Sequence, residues 1–329
     1  MAWPLPQPNL QHVSAAGSHV YRVMHPSPLL KHPLLDEALG LDIWVKHENH
    51  NPTGAFKIRG GLNLIGQLSP DDRKRGVMTA STGNHGQSIA FACRAHGVRC
   101  RVAVPIGNNA DKNAAIRALG AELIEHGRDF DEAREWVERT VKEDGSRYVH
   151  SANEAHLISG VGTYALEIFD ELPDVGAIIT PIGGGSGASG CGIVRTALGS
   201  PAEVIGVQAA RADAFTRSWR GPARVTTETC DTFAEGMATR MSYDLPFEIL
   251  KQELNDIVTL EEAELEDGVR LALQLTHNLA EGAGAASLAA AKKIRERLAG
   301  RKVVCVMTGG NIQAETVARI LSRGSGPKA

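Results

Sequence analysis

The sequence has no CxxC pair, no surplus of basic residues and no apolar run long enough to cross a bilayer. Its five cysteines, Cys93, Cys100, Cys191, Cys230 and Cys305, stand apart and mostly in apolar surroundings. That spacing argues against a zinc site or a disulfide framework and marks them as reduced core residues. A formal charge of -3 over 329 residues leaves no basic groove for a nucleic acid. The start, Met1-Ala2-Trp3-Pro4, lacks the basic and apolar segments of a secretory leader, so the expected location is the cytoplasm, with no membrane contact. No internal repeat or low-complexity tract interrupts the chain. With 43% hydrophobic residues and few aromatics it can bury substantial cores and form two lobes.

What is present is a series of short apolar runs, each followed by a helical pattern. They are Ile43-Trp44-Val45, Val77-Met78-Thr79, Val102-Ala103-Val104, Glu122-Leu123-Ile124, Ile178-Ile179-Thr180, Val204-Ile205-Gly206-Val207 and Val303-Val304-Cys305-Val306-Met307. Continuous β-branched runs between helices predict parallel sheets covered on both faces, and in such sheets ligands bind beyond the carboxyl ends of the strands. Helices are predicted over Asp129 to Asp144, Ala155 to Leu172, Glu261 to Thr276, Ala283 to Leu298 and Ile312 to Arg323. The tail from Gly324 is expected to fray.

Four polar, glycine-bearing turns carry the chemistry. The first, Asn51-Pro52-Thr53-Gly54-Ala55-Phe56-Lys57-Ile58, presents one amine between two apolar neighbours. There an ammonium is destabilised, and the free amine can act as a nucleophile. The others are Ser81-Thr82-Gly83-Asn84-His85-Gly86-Gln87, Gly183-Gly184-Gly185-Ser186-Gly187 and Thr308-Gly309-Gly310-Asn311, which fall at strand ends. The glycine run lets backbone N–H groups approach a phosphate, with a helix start behind it favouring the anion. Read literally, Gly185 to Gly190 is GxGxxG, a dinucleotide signal. The acidic residue expected about 20 positions on is missing, since the strand Val204 to Val207 ends in Gln208.

Taken in this order, the four turns resemble the tryptophan-synthase-like, fold-type II class of pyridoxal-phosphate enzymes, and within it the serine/threonine dehydratase and serine racemase family. The likeness runs from about Pro28 to Ile320. It implies an α/β protein of two lobes, each an open, mostly parallel twisted sheet flanked by helices. Residues 52–146 would form a small substrate-carboxylate-binding lobe, and residues 1–51 and 147–329 a discontinuous large cofactor-binding lobe. A homodimer or homotetramer is implied as well. Family members with biosynthetic roles carry a C-terminal effector domain, for which no room remains after Asn311 and one helix, so isoleucine feedback is not expected.

The resemblance also implies roles. Lys57 would hold the cofactor as a Schiff base and then serve as the base at the α-carbon. Phe56 would pack the cofactor ring, and Gly183, Gly184, Gly185, Ser186 and Gly187 would cradle its phosphate. Ser81, Thr82, Gly83, Asn84 and His85 would receive the substrate carboxylate. Asn84 would also meet the phenolic oxygen, and His85 is read as a structural hydrogen-bond partner. Glu281, in Glu281-Gly282-Ala283-Gly284, would lie beside the cofactor. Thr308 would hydrogen-bond the pyridine nitrogen. A neutral hydroxyl there makes a poorer electron sink than a carboxylate and favours prompt loss of a β-substituent. The segment Asp231-Thr232-Phe233-Ala234-Glu235-Gly236 resembles a cation-holding turn, so Asp231, Ala234 and Glu235 are candidate ligands for Mg, Ca, Mn or K.

The resulting expectation is a dehydratase, or ammonia-lyase, that eliminates water from threonine, serine or a bulkier 3-hydroxy amino acid. Its partner would be a small amino-acid substrate. Small residues at Ser151-Ala152-Asn153, where relatives border the substrate side chain, suggest the bulkier class. The rivals are an amino-acid racemase, opposed by Thr82 where serine racemase has serine, and a β-replacement enzyme, opposed by His85 after Asn84. A non-catalytic binding protein is opposed by Lys57.

Overall fold

The computed structural model describes residues 7–323, and the tail expected to fray lies outside them. Among the described residues the strands are β1 (Leu29–Lys31), β2 (Asp42–His47), β3 (Val77–Ala80), β4 (Cys100–Val104), β5 (Glu122–Glu125), β6 (Arg147–Tyr148), β7 (Ala177–Pro181), β8 (Glu203–Ala209), β9 (Asp256–Leu260) and β10 (Lys302–Met307). They form a larger sheet ordered β1-β2-β10-β7-β8-β9 and a smaller one ordered β5-β4-β3-β6. Every neighbouring pair is parallel except β1 with β2.

Alternation along β10 shows why the larger sheet is covered on both faces. Val303, Cys305 and Met307 enter one core, with Leu265, Val269 and Ala285. Val304 and Val306 enter the other, with Ile158, Val161 and Cys191. Successive strand residues point to opposite faces, so a run with no polar member is stable only between two helical layers. The three valines are fully buried, and each contributes roughly 1.5–3 kcal/mol by leaving water. The smaller sheet is packed likewise, with Val77 and Val102 on one side and Met78 and Ala103 on the other.

All seven apolar runs are strands, and the structure adds three that the sequence pattern did not mark. β1 and β6 are too short to show a period, and β9 carries polar Asp256 and Thr259. The edge expected between residues 146 and 147 falls immediately before β6, whose Arg147 and Tyr148 pair with Val77 and Met78 of β3. These two residues therefore stay with the smaller sheet. The helix expected over 283–298 breaks at Ile294 (φ -108°, ψ 24°), giving Gly282–Lys293 and Arg295–Leu298, and the one expected from Ile312 starts at Ala314.

The helix Lys57–Gly66 is held between Asn84–His96 and Ala155–Glu171. Glycine makes this possible. A Cβ on Gly61 would lie 2.8 Å from the Ser88 carbonyl oxygen, and one on Gly160 would lie 2.4 Å from that of Arg59. The same helix is anchored by a buried ionic cluster in which Arg59, Glu48 and Lys46 are 0% exposed and Glu167 is 8% exposed. Arg59 donates to Glu48 through Nε at 2.7 Å and Nη2 at 2.8 Å, and to Glu167 through Nη1 at 2.5 Å and Nη2 at 2.9 Å. Lys46 Nζ lies 2.6 Å from Glu167 Oε2. Two cations thus meet two carboxylates, the arrangement that makes buried charge tolerable.

Candidate active site

Lys57 lies at the first position of its helix, and the turn before it is stitched to the end of β10. Phe56 N donates to Thr308 O and Gly310 N donates to Gly54 O, each at 2.9 Å, and Ala55 forms an antiparallel bridge with Gly309. This places the lysine beside the glycine loop, with Nζ 3.4 Å from Ser186 Oγ and 5.1 Å from the Phe56 ring centroid. Burial lowers the Lys57 pKa to about 8, because an enclosed ammonium loses hydration that the neutral amine does not need. A nucleophilic amine is therefore present near neutral pH.

Gly183 to Gly187 leave β7 and open the helix Ser186–Ala197. A Cβ on Gly183 would sit 2.1 Å from the Gly236 carbonyl oxygen, and Gly185 adopts φ +91°, a left-handed conformation that favours glycine. No side chain caps this helix. Its first N–H groups thus remain available to an anion, in the geometry suited to a phosphate. Behind them Phe56 packs edge-on against buried Tyr164, with ring centroids 6.4 Å apart. A lysine amine, a phosphate cradle and an aromatic wall in one crevice fit pyridoxal phosphate.

The loop Ser81 to His85 closes the crevice from the smaller sheet. Ser81 Oγ accepts from Gly83 N at 3.0 Å and Gly86 N at 2.8 Å, so this hydroxyl shapes the loop. Thr82 is partly exposed, and its carbonyl accepts from Asn108 Nδ2 at 3.3 Å. His85 Nε2 lies 2.9 Å from Thr79 Oγ1, which itself donates to Val149 O at 2.7 Å. Thr79 must therefore accept from His85, which puts the imidazole proton on Nε2 and leaves buried Nδ1 without a partner among the described residues. Burial first, then Lys57 and His150, hold the His85 pKa down at about 3. The buried ring is held neutral beside Thr79.

Asn84 Nδ2 donates to Glu281 Oε1 at 2.6 Å, and Asn311 Nδ2 donates to Asn84 Oδ1 at 2.8 Å. Glu281 is 6% exposed, and burial raises its pKa while Lys112 and Asn84 oppose the rise. Thr308 is 4% exposed, and its hydroxyl makes no hydrogen bond among the described residues. The turn His150 to Asn153 faces the glycine loop through Ala152, whose Cβ is 3.1 Å from where a Gly184 Cβ would lie. Through His150 and Asn153 it faces a cavity of about 360 Å³, also lined by Arg134, Arg224 and Tyr243.

The expected cation site is not formed. Asp231 is exposed and ion-paired with Arg211, while Glu235 is ion-paired with Lys112. The Ala234 carbonyl already accepts from Met237 N at 2.8 Å. No group of three or more His, Cys, Asp or Glu side chains that could hold a metal ion occurs among the described residues. Asp231, Ala234 and Glu235 as they stand do not fit Mg, Ca, Mn or K, because protein donors and cations already satisfy them. Sequence reasoning also missed Lys112, Asn108 and the function of Asn311 as a support for Asn84. Lys112 lies in an ordinary polar helix start, and no local pattern separates it from a solvated lysine.

Comparison with known proteins gives a consistent result. The family model described as "Pyridoxal-phosphate dependent enzyme" matches residues 20–309. L-threonine ammonia-lyase of Thermotoga maritima is 36% identical over 315 residues, covering 96% of this chain and 78% of that protein. Serine racemase of Schizosaccharomyces pombe is 28% identical over 316 residues, covering 96% and 98%. The solved structure of processed threonine deaminase isoform 2 from Solanum lycopersicum superposes with a TM-score of 0.90 at 27% identity, covering 95% of this chain and 92% of that one.

Proposed function

Because the chain belongs to the pyridoxal-phosphate-dependent enzyme family, we propose that it is a dehydratase converting a β-hydroxy amino acid to a 2-oxo acid and ammonia. The observation that carries this reading is the desolvated Lys57 amine beside Ser186, in a crevice whose β10 end offers the Thr308 hydroxyl rather than a carboxylate. Bound pyridoxal phosphate supplies a delocalised sink for the electron pair released at the α-carbon. The protein's residues do the rest. The glycine loop and its helix start hold the phosphate, and Phe56 covers the ring. In the Ser81 to His85 loop the Ser81 and Gly83 N–H groups are already donated to Ala103 O and Ser81 Oγ, so the Thr82, Asn84 and His85 N–H groups take the α-carboxylate. Lys57 as the neutral amine removes the α-proton, the β-carbon–oxygen bond breaks, and the departing hydroxide takes up one proton to leave as water, so that the α-proton gained by Lys57 balances the proton lost with the water. The released enamine tautomerises and hydrolyses to the oxo acid and ammonia. Holding amine, base and leaving group together supplies much of the acceleration.

The substrate is threonine, serine or a bulkier 3-hydroxy amino acid. The small Ala152 side chain beside Gly184 of the glycine loop supports the bulkier class, whereas the cavity beside His150 and Asn153 is lined by no residue of the Lys57 crevice. The reading extends to a homodimer or homotetramer in the cytoplasm, as the family resemblance implies. The unpaired cysteines agree with a reducing compartment. Among the described residues no helix is long and apolar enough to cross a membrane.

The test is an absorption spectrum of the purified protein followed by a panel of β-hydroxy amino acids with 2-oxo-acid detection. A band near ~410 nm, expected for a lysine Schiff base, with oxo acid released supports the dehydratase. The band with inverted enantiomer and no oxo acid moves the assignment to a racemase. No band after added pyridoxal phosphate overturns the role of Lys57. Threonine or serine turned over far better than every bulkier analogue overturns the enlarged-substrate part alone.

A further inference from the structure

Lys112 reaches the crevice from the smaller-sheet side. It lies in the first turn of the helix Ala110–Ala118 and is 6% exposed. A cation at a helix start opposes the helix dipole, so this placement is unfavourable unless carboxylates compensate. Two do. Its ammonium is ion-paired with Glu235 and lies 3.7 Å from Glu281 Oε2, both acids coming from the larger-sheet side. Its stem lies against the carboxylate-binding loop, where a Cβ on Gly83 would meet Lys112 Cδ at 2.6 Å. Glu281 in turn accepts from Asn84.

We propose that Lys112 is a built-in cation. Its ammonium satisfies Glu235, the carboxylate that resembles a metal ligand, and together with Glu281 fixes Asn84 and the substrate loop beside the cofactor without a metal ion. Lys112 acts through Glu235, Glu281 and Asn84 and is a positioning residue. Without it Glu281 becomes a buried acid with Glu235 as a like-charged neighbour, which favours its protonation. A protonated Glu281 no longer offers Asn84 an anionic acceptor, and the loop is held to the opposite side at Asn84 mainly by the Asn311 amide. A small external cation is then expected to take the place of the ammonium between the two acids.

The experiment compares wild type with Lys112→Ala after chelator treatment, in a tetramethylammonium buffer that offers no small cation. Apo-protein melting temperature, cofactor affinity from the Schiff-base band and steady-state kinetics are read before and after adding Mg2+, Ca2+, K+ or ethylammonium. Melting temperature and the band report without turnover, so a wrong substrate assignment does not affect them. Wild type is expected to ignore chelation and every added cation. Lys112→Ala is expected to lose roughly tenfold to a hundredfold in cofactor affinity, the cost of removing a charged hydrogen-bond partner. It should recover several-fold with ethylammonium or a divalent ion. Wild type that loses melting temperature on chelation, and regains it with a metal ion in a manner absent from Glu235→Gln, overturns the proposal. So does a Lys112→Ala protein that binds cofactor like wild type. Should Lys112→Ala not fold, the near-isosteric Lys112→Gln and the exposed-side Glu235→Gln carry the same comparison, and undiminished cofactor affinity in both again overturns it.

Discussion

Replacing Arg59 with methionine tests the buried ionic cluster and the seat of Lys57 together. The guanidinium also donates to Thr163 Oγ1 at 3.0 Å and Ser27 Oγ at 3.3 Å, besides its bonds to Glu48 and Glu167. Methionine fills much of the volume but leaves two carboxylates facing Lys46 alone. Removing one partner from a buried ion pair costs about 3–5 kcal/mol, and the whole of that range is expected here because Arg59 is 0% exposed. The pH dependence separates this from a packing defect. In wild type, burial pushes the Glu48 pKa up but Arg59 outweighs it, and the net shift is downward from the ordinary 4.5. Its stabilising contribution is therefore complete above that value and is lost only as pH falls through the lower folded pKa. In Arg59→Met the burial effect loses its main opponent, so Glu48 protonates on acidification from neutrality and the penalty is relieved. Urea unfolding of the apo-proteins at pH 7 and pH 5 should show a large difference that narrows at the lower pH. A difference below about 1 kcal/mol, or one that does not change with pH, would refute the electrostatic account.

Three further outcomes follow from the site. With Lys57 lowered to about 8, the rate at which apo-protein takes up pyridoxal phosphate should rise with pH through that value and then level, because the neutral amine attacks; a midpoint near the ordinary 10.5 would contradict the desolvated setting. Gly183→Ala places a Cβ 2.1 Å from Gly236 O, so cofactor affinity should fall by roughly a hundredfold or more, about the cost of a strained backbone shift; equilibrium titration of the Schiff-base band would show it, and wild-type affinity would exclude a tight cradle. Thr308→Asp puts a carboxylate where a neutral hydroxyl stands, which should let α-proton exchange in D2O outrun loss of the β-hydroxyl; an unchanged ratio of the two rates would remove Thr308 from the choice of reaction.

The parts of the site that were legible in the sequence are those whose chemistry depends on the backbone. A glycine run before a helix start, an amine in a polar turn between apolar neighbours and a hydroxyl at a strand end have local signatures. The strands were legible where both faces are buried, as in β10, and illegible where the strand is too short for a period, as in β6. Side-chain partnerships drawn from distant segments left no trace. Arg59 finds Glu167 across 108 positions and Lys112 finds Glu235 across 123, so neither pairing could be inferred from neighbours. The same cause misled the reading of Asp231 and Glu235. Two acids in one turn resemble a cation site only while the arginine and lysine that neutralise them are out of view.

The backbone seam between the Lys57 turn and the end of β10 has a mechanical consequence. Residues 54–56 are hydrogen-bonded to 308–310, so the first turn of the Lys57 helix moves with the larger sheet although the chain that follows it builds the smaller one. The Ser81 loop has no such seam, and Asn84 reaches the larger-sheet side through the side chains of Glu281 and Asn311. The distance between the amine and the Thr308 end of the ring pocket is thus set by backbone, while the grip on the carboxylate receptor is set by side chains that can exchange partners as a substrate is admitted.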